Sequence, residues 1–361
     1  MCMTAHETTI HSTVTAVNAN QWNNLVTQSD LGTVFHRHEW LRAVEAGLDR
    51  PAYHAVVTKG SNPVAVLPTV LVPVATPDPA DLPGPDRVVE ATASHLPTER
   101  LVSLHPGTGG PVIATDHESC LDTMLSALTT AAPRQALSHK IRTGSQAQNR
   151  YSKYLIGQGY ESTVTSCRLV LDLAPGWDRI KSGMDRTRRT ELRNDAVTVE
   201  RTDFDGPMLA SIHADYVQNM ERIGADSFPM AFFEALAEHM DERVEVFTAR
   251  REGNTLGRHI CIVDEEQSAL RYYFSAVPET SAYEYGTSEQ LHGAAIQWAI
   301  DAGFESYDFG ATGADFRDGL FTYKSQYGPA VCPIVQWDRG LSAVAWRAFK
   351  FGRRLYRGQN Y

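Results

Sequence analysis

The sequence predicts an α/β fold with mixed sheets, built from two similar modules in tandem. The chain has 361 residues, 42% of them hydrophobic, which is enough for two cores because one domain usually takes about 100 to 200 residues. Stretches with helical periodicity alternate with strand-like stretches along the chain. Their order in the first half recurs in the second half. We therefore predict one module over residues 1–174 and another over residues 175–361.

The first half is predicted to begin with two short helices between Asn20 and Gly47, where apolar residues recur in helical steps around a turn at Ser29–Gly32. A hairpin over residues 51–74 follows. The predicted elements after it are a strand at 100–114, a helix at 118–131, a strand at 136–144, a helix at 146–157 and a strand at 162–173. The proline-rich residues 75–97 predict an exposed loop.

The second half repeats this order after a basic junction helix over residues 184–196. Two amphipathic helices are predicted at 204–223 and 229–240, and three strands at 243–253, 254–266 and 268–279. A loop at 280–286 leads into a helix that Thr287 is predicted to cap and Gly303 to end. A strand at 305–312, a helical or turn segment at 318–328 and a last strand at 330–337 complete the order.

The composition excludes several classes of function. A net charge of −10 and a pI near 5.7 argue against a protein that coats nucleic acid, which needs a broad cationic surface, and leave local phosphate contacts open. The five cysteines are scattered, so they predict neither a disulfide framework nor a zinc knuckle, and a cytoplasmic location is expected. His36 and His38 lie two residues apart on a predicted helix and face different sides, so no metal site is predicted. No stretch is apolar enough to span a membrane.

The second half also carries a set of short motifs at fixed spacing. They are Trp298-Ala299, Gly303, Asp308-Phe309-Gly310, Tyr323-Lys324 and Tyr327-Gly328. In this arrangement the sequence resembles the C-terminal GNAT module of Fem-type transferases. Residues 34–44 look like the entry helix of that family, and residues 184–200 look like its junction helix. The resemblance implies two GNAT-like modules in tandem and an enzyme that makes an amide bond by passing an aminoacyl or acyl group to an amine.

The resemblance also implies catalytic residues. Lys324 would stabilise the oxyanion of the tetrahedral intermediate, and Tyr323 would flank the acyl donor. Asp308 is a third candidate, because a carboxylate there would orient or deprotonate the attacking amine if burial raised its pKa. A solvated surface lysine is the ordinary alternative for Lys324, and a structural strand-end residue is the alternative for Asp308.

The loop before the helix at Thr287 is the predicted binding site for the donor or its phosphates. Free N–H groups at a helix start attract anions, and the candidates are Tyr283, Tyr285, Gly286, Thr287 and Ser288. The loop has one glycine, unlike the glycine-rich loops of acetyl-CoA-dependent enzymes, so we expect weak binding of coenzyme A. An ordinary capped helix is the alternative interpretation.

Contacts to the acceptor, or to a phosphate, are predicted for Trp40 of the entry helix and for Arg186, Arg189 and Arg193 of the junction helix. Ala43 and Val44 follow Trp40 and Arg42 where cell-wall Fem enzymes have a lysine that holds a nucleotide-sugar diphosphate, which argues against a muramyl-peptide acceptor. From Arg339 to Tyr361 there are six basic residues and no acidic one. Such clusters suit a tRNA acceptor stem or a membrane surface, although a solvated face is the alternative.

The sequence therefore predicts an amide-forming N-acyltransferase without a bound cofactor. Its co-substrate would be aminoacyl-tRNA or an acyl-CoA thioester, and its acceptor an amine of a small metabolite or envelope precursor. Two alternatives stay open: a catalytically silent tandem module that binds a nucleotide- or lipid-linked ligand, and a conventional acetyl-CoA-dependent N-acetyltransferase.

Overall fold

The structure is a computed structural model that describes residues 6–74 and 99–359, with side chains described as far as Phe351. The predicted proline-rich loop at 75–97 lies outside the described residues. The strands are β1 (His6–His11), β2 (His54–Lys59), β3 (Asn62–Leu67), β4 (Thr69–Pro73), β5 (Glu99–Ser103), β6 (Val112–Ile113), β7 (Ala136–Thr143), β8 (Glu161–Asp172), β9 (Thr198–Thr202), β10 (Val244–Arg251), β11 (Asn254–Asp264), β12 (Ala269–Ala276), β13 (Ser306–Gly313) and β14 (Ala330–Gly340).

The helices are α1 (Ala19–Thr27), α2 (His38–Leu48), α3 (His117–Ala131), α4 (Ser152–Gly157), α5 (Trp177–Gly183), α6 (Arg186–Glu191), α7 (Gly206–Ile223), α8 (Met230–Met240), α9 (Thr287–Asp301), α10 (Gly319–Ser325) and α11 (Ala343–Gln359). None of the helices in the described ranges is both long enough and apolar enough to cross a bilayer. Most of them agree with the predicted positions, because their apolar residues follow the helical period that the sequence shows.

One long mixed sheet dominates the described residues. Its ten strands lie in the order β4-β5-β7-β14-β8-β13-β12-β11-β10-β9, and a second sheet has the order β1-β2-β3-β6. The same local arrangement occurs once in each half. In the first half β5 pairs in parallel with β7 and α3 connects them; in the second half β12 pairs in parallel with β13 through α9. The predicted α/β fold of two GNAT-like modules in tandem is confirmed.

The two halves exchange their last strands within this sheet. β8, which ends the first half, pairs with β13 of the second half, and β14, which ends the second half, pairs with β7 of the first half. β8 and β14 also pair with each other. The modules are therefore joined by continuous strand pairing. The division between residues 174 and 175 stays a prediction.

Helices α2 and α8 hold the halves together on one face of the sheet. Trp40 of α2 is fully buried, and its ring meets the ring of Phe232 of α8 with centroids 6.0 Å apart. At Gly47 the two helices touch so closely that a Cβ atom would lie 2.4 Å from the Cα of Phe232. The larger hydrophobic core thus contains side chains of both halves.

The structure differs from the prediction in a few elements. The predicted strand over residues 62–74 divides at Pro68 into β3 and β4, which belong to different sheets. The predicted helix at 146–157 begins as a 3-10 helix, Gln146–Tyr151, before α4. Four elements were not predicted from the sequence: β1, β9, α5 and α11. The first three are short, and α11 is so rich in arginine that the sequence suggested a solvated tail.

Candidate active site

A cleft opens where β12 and β13 separate. The two strands pair in parallel over only three positions, ending at Arg271 opposite Asp308. Beyond that pair β13 stays paired with β8 but no longer with β12, and a cleft of about 290 Å³ lies there. Residues of both halves line it: Phe35, Gly107, Thr108, Arg142, Arg168, Arg271, Tyr272, Tyr273, Asp308, Phe309, Gly310, Ala311 and Lys324. The splayed strands and the first-half loop thus form one concave surface.

Asp308 lies in this cleft between two arginines. Its Oδ2 atom accepts hydrogen bonds from Arg168 at 2.5 Å and from Arg271 at 2.6 Å, and its Oδ1 accepts one from the amide of Gly310 at 2.9 Å. Burial raises the pKa of Asp308, but the two guanidinium groups and the amide outweigh this effect and hold the pKa below its ordinary value. Asp308 is therefore a paired carboxylate, an arrangement that suits an anchor for the arginines better than a base.

Lys324 projects from the last turn of α10 into the cleft and is only 4% exposed. Its Nζ donates a hydrogen bond to the carbonyl of Ala311 at 3.2 Å. Within the described residues no carboxylate lies within salt-bridge distance of this ammonium group. Burial lowers the pKa of Lys324 from 10.5 to about 8, although the charge of Asp308 acts in the opposite direction. At neutral pH Lys324 is a largely protonated cation with free hydrogen-bonding capacity.

The cleft carries an excess of positive charge. Four cations line it, Arg142, Arg168, Arg271 and Lys324, against the carboxylate of Asp308. The positive charge of Arg271 is compensated by a second ion pair, with Asp264 at 2.6 Å. Arg142 donates to the carbonyl of Gly107 at 3.4 Å, and no carboxylate among the described residues pairs with it. The cleft is thus built to receive a negatively charged group.

Tyr323 precedes Lys324 and faces away from this cleft, towards the start of α9. Its hydroxyl lies 3.1 Å from that of Tyr327, and the guanidinium of Arg188 lies over its ring, 4.8 Å from the centroid. Arg188 also forms an ion pair with the buried Glu289. Tyr323 and Lys324, which point about 100° apart on α10, therefore have different neighbours. The predicted role of Tyr323 beside the donor stays a prediction.

The predicted donor loop forms a 3-10 helix, Thr280–Tyr285, that enters α9 through Gly286 at a φ of 66°. Tyr283 is 38% exposed, and its hydroxyl accepts a hydrogen bond from Arg222 at 2.8 Å. Tyr285 lies under the guanidinium of Arg251, 4.0 Å from its ring centroid. Ser288 is buried in the first turn of α9. None of the predicted donor-binding residues is among those that line the cleft.

The prediction that Thr287 caps α9 is wrong. Gly286 occupies the cap position, and the hydroxyl of Thr287 instead donates to the carbonyl of Ala282 at 2.6 Å. The junction segment covers this helix start. Asn194 donates to the carbonyl of Tyr285 at 2.9 Å, and a Cβ atom at Gly286 would lie 2.9 Å from a carboxylate oxygen of Glu191. The N-terminus of α9, where its free N–H groups would attract an anion, is thus covered by the carboxylate of Glu191 and has Glu289 in its first turn.

The residues predicted to contact the acceptor lie apart from the cleft. Trp40 is buried behind its wall and touches the lining residues Phe35 and Tyr273, with ring centroids 4.9 and 5.4 Å away. Arg186 and Arg193 are exposed near α6, and Arg189 donates to the carbonyl of Ser182 at 2.9 Å. Their predicted roles stay predictions, since none of the four lines the cleft.

Sequence reasoning missed several residues of the site. Arg142, Arg168 and Arg271 are each single arginines within strands, a pattern that does not distinguish a site residue from a solvated one. His259 and His292 were also missed. These two buried imidazoles lie behind Tyr272 with ring centroids 4.4 Å apart, and burial lowers the pKa of His259 to about 3. Both are therefore neutral at physiological pH, so they add no positive charge behind the cleft.

Comparisons with known proteins agree with this architecture. Residues 179–325 match the model of a family described as an acetyltransferase (GNAT) domain, a span that includes Asp308, Tyr323 and Lys324. No curated protein matches the sequence. Among solved structures, FemX has a similar fold, with a TM-score of 0.66 and 15% identity over 92% of this chain and 96% of that one.

Two further structures share the fold. A tandem GNAT protein from the clavulanic acid biosynthesis pathway has a TM-score of 0.57 and 11% identity over 94% of this chain and 99% of that one. The C-terminal domain of a putative lysylphosphatidylglycerol synthetase from Agrobacterium fabrum has a TM-score of 0.56 and 13% identity over 92% of this chain and 94% of that one. The predicted resemblance to the tandem GNAT fold of Fem-type proteins is confirmed.

Proposed function

We propose that this Fem-like tandem GNAT acyltransferase passes an aminoacyl group from aminoacyl-tRNA, or an acyl group from a thioester, to an amine of a small metabolite or envelope precursor. The reaction would take place in the cleft where β12 and β13 separate. The buried cation Lys324 is the observation that carries the proposal. No bound cofactor is required, because the donor is a co-substrate.

Lys324 suits the oxyanion of the tetrahedral intermediate for two reasons. The cleft excludes most solvent from its ammonium group, and an electrostatic interaction is stronger where water is scarce. Its single hydrogen bond, to the carbonyl of Ala311, leaves two N–H donors for a ligand. Because the oxyanion forms only after the amine attacks, this interaction would lower the barrier more than it stabilises the bound donor.

The bonds of the reaction are simple. The amine nitrogen forms the new C–N bond, and the ester C–O bond of the donor, or the C–S bond of a thioester, breaks. The proton of the amine leaves with the departing oxygen or sulfur. We propose that Asp308 is a positioning residue that fixes Arg168 and Arg271, because all of its close contacts are to hydrogen-bond donors.

The charges of the cleft define the substrates further. Arg142 has no carboxylate partner among the described residues and stands in the same cleft as Lys324. A bound carboxylate or phosphate would supply that partner. We therefore propose that the acceptor, or the part of the donor next to the scissile bond, carries a negative charge that Arg142 binds.

The start of α9 favours aminoacyl-tRNA over coenzyme A as the donor. Glu289 is buried in its first turn and paired with Arg188, and Glu191 lies against Gly286. The pyrophosphate of coenzyme A at this position would be repelled by Glu191 and would have to displace the junction helix. We therefore propose, as part of the same function, that the protein binds the acceptor stem of a charged tRNA and a small amine.

A discharge assay tests the proposal. The purified protein is incubated with a mixed pool of charged tRNAs or with acyl-CoA thioesters, together with a pool of small amines, and consumption of each donor is followed by mass spectrometry. We expect amine-dependent discharge of tRNA by the wild type and by Lys153→Ala, which removes an exposed lysine on α4, but not by Lys324→Ala. Consumption of acyl-CoA alone would instead establish a conventional acyl-CoA enzyme, and no discharge of either donor would favour the silent module.

A further inference from the structure

Helix α11 carries a concentration of positive charge that the rest of the chain lacks. Between Ala343 and Gln359 there are five basic residues and no acidic one. Subtracting these charges from the net charge of −10 leaves −15 for the rest of the chain. A negatively charged surface would therefore repel most of the protein and attract α11.

Among the side chains of this helix that the structure describes, as far as Phe351, two large apolar ones are exposed. Val344 is 80% exposed and Phe351 is 65% exposed. At about 100° per residue, a separation of seven residues places them on one face of the helix. Exposed side chains of this size are singly unremarkable, but two on one helical face form an apolar stripe.

The opposite face holds α11 to the protein. Trp346 packs over Gly340 at the end of β14, so closely that a Cβ atom there would lie 2.3 Å from the indole ring. Phe349 stacks on Trp346 with ring centroids 5.6 Å apart. Lys350 pairs with Glu161 of β8 at 2.5 Å. The apolar stripe is thus held outward by contacts on the other side of the helix.

We propose that α11 binds the surface of an anionic phospholipid bilayer and lies in its interfacial plane. The exposed Arg347 stands beside the stripe, and the sequence adds Arg353, Arg354 and Arg357. Arginines next to an exposed apolar face are the combination that anionic lipid headgroups and the underlying acyl chains bind together. A nucleic acid would satisfy the arginines but would leave Val344 and Phe351 in water, so the stripe favours lipid.

Vesicle sedimentation with the full chain tests this proposal. The probes are vesicles of phosphatidylcholine mixed with phosphatidylglycerol and vesicles of phosphatidylcholine alone. We expect binding to the mixed vesicles only, and at least about a tenfold weaker affinity for Phe351→Glu, because the buried area of the ring is lost and an anionic lipid repels the new charge. Arg347→Glu should weaken binding as well, whereas Phe316→Glu, at a phenylalanine that is 81% exposed elsewhere, should not.

Several results would overturn the proposal. One is failure of the wild type to bind the mixed vesicles, and another is unchanged binding by Phe351→Glu. If the wild type forms dimers in analytical ultracentrifugation and Phe351→Glu is a monomer, the stripe binds a second copy of the chain instead of lipid. The helix would instead be a nucleic-acid site if the protein binds unfractionated tRNA but no vesicles. In that case Arg347→Glu would weaken tRNA binding and Phe351→Glu would leave it intact. None of these measurements depends on chemistry in the cleft.

Discussion

Arg168 of β8 and Asp308 of β13 form an ion pair of 2.5 Å that joins the two halves of the chain. Asp308 also receives Arg271, so a single carboxylate holds two guanidinium groups at the base of the cleft. The pair is almost wholly enclosed, since the side chains of Arg168 and Asp308 are 16% and 3% exposed. Loss of Asp308 would therefore leave Arg168 without a countercharge in a poorly solvated place, whereas loss of Arg168 would leave Asp308 paired with Arg271.

We expect Asp308→Asn to lower the free energy of unfolding by about 3 to 5 kcal/mol, because it leaves Arg168 without a countercharge. Urea unfolding measures this change. The matched control is Asp315→Asn at the exposed pair with Arg317, which should unfold almost as the wild type does. Because the pKa of Asp308 is lowered in the folded state, its stabilisation should be complete above its ordinary value of 3.8 and be lost as the pH falls below it. A small effect of Asp308→Asn would show that the pair contributes little.

Lys324→Ala should reduce kcat by about 10²-fold or more while the protein stays folded, because it removes stabilisation of the oxyanion and little core packing. Lys324→Arg should recover only part of the activity, since the guanidinium group is larger and its donors are fixed in a fork. Steady-state kinetics with the donor identified by discharge gives both values. Turnover of Lys324→Ala within a few-fold of Lys153→Ala would refute the role.

The pH dependence of kcat should also follow the protonation of Lys324. Burial lowers the pKa of this ammonium group to about 8, so the protonated form that binds an oxyanion is depleted above that pH. We expect kcat to fall with rising pH from about 8, and the fall to be absent in Lys324→Arg, whose guanidinium stays charged. A wild-type profile that stays level up to pH 10 would contradict the assignment.

Replacement of Lys324 by methionine should stabilise the protein while it abolishes turnover. The fall of the pKa of Lys324 from 10.5 to about 8 corresponds to about 3 kcal/mol against the buried charged form. Below pH 8 Lys324 is protonated in both the folded and the unfolded chain, so the folded protein carries the full cost of the buried charge. Between pH 8 and 10.5 Lys324 loses its proton in the folded protein but keeps it in the unfolded chain, and the cost falls as the pH rises. Urea unfolding at pH 7 and pH 10 should therefore show a gain for Lys324→Met that is larger at pH 7. An equal gain at both values would mean that charge is not its cause.

Gly47→Ala tests the contact between α2 and α8. A methyl group at this position would lie 2.4 Å from the backbone of Phe232, so the helices would have to move apart, and we expect a loss of about 1 to 3 kcal/mol. Gly157→Ala, in α4, meets no atom within 4 Å and should be neutral or slightly stabilising. Thermal unfolding compares the two variants. If Gly47→Ala is as stable as Gly157→Ala, the contact between α2 and α8 accommodates the added methyl group without cost.

The sequence predicted the parts of the fold that depend on local patterns and missed those that depend on distant partners. Apolar periodicity placed α7, α8 and α9 because each helix buries one stripe. Nothing in the periodicity of residues 330–337 shows that this strand would lie between β7 and β8, because strand partners are chosen by the whole sheet. The motif pointed to Lys324 and Asp308, which line the cleft, and their chemical roles stay predictions. Arg142 and Arg168 reach the same cleft from strands more than a hundred residues earlier in the chain.

The position of β14 has a consequence for the way the protein is made. The gap between β7 and β8 is filled by residues 330–340, and β13, the other neighbour of β8, also belongs to the second half, so β7 leaves the ribosome with one unpaired edge and β8 with two. Synthesis at about 5 to 20 residues per second separates the emergence of β8 from that of β14 by many seconds. During this interval the nascent chain depends on its own packing or on chaperones to avoid wrong pairing. A messenger truncated before β14 would therefore yield an aggregating product, and release of the last strand would be the event that completes both halves at once.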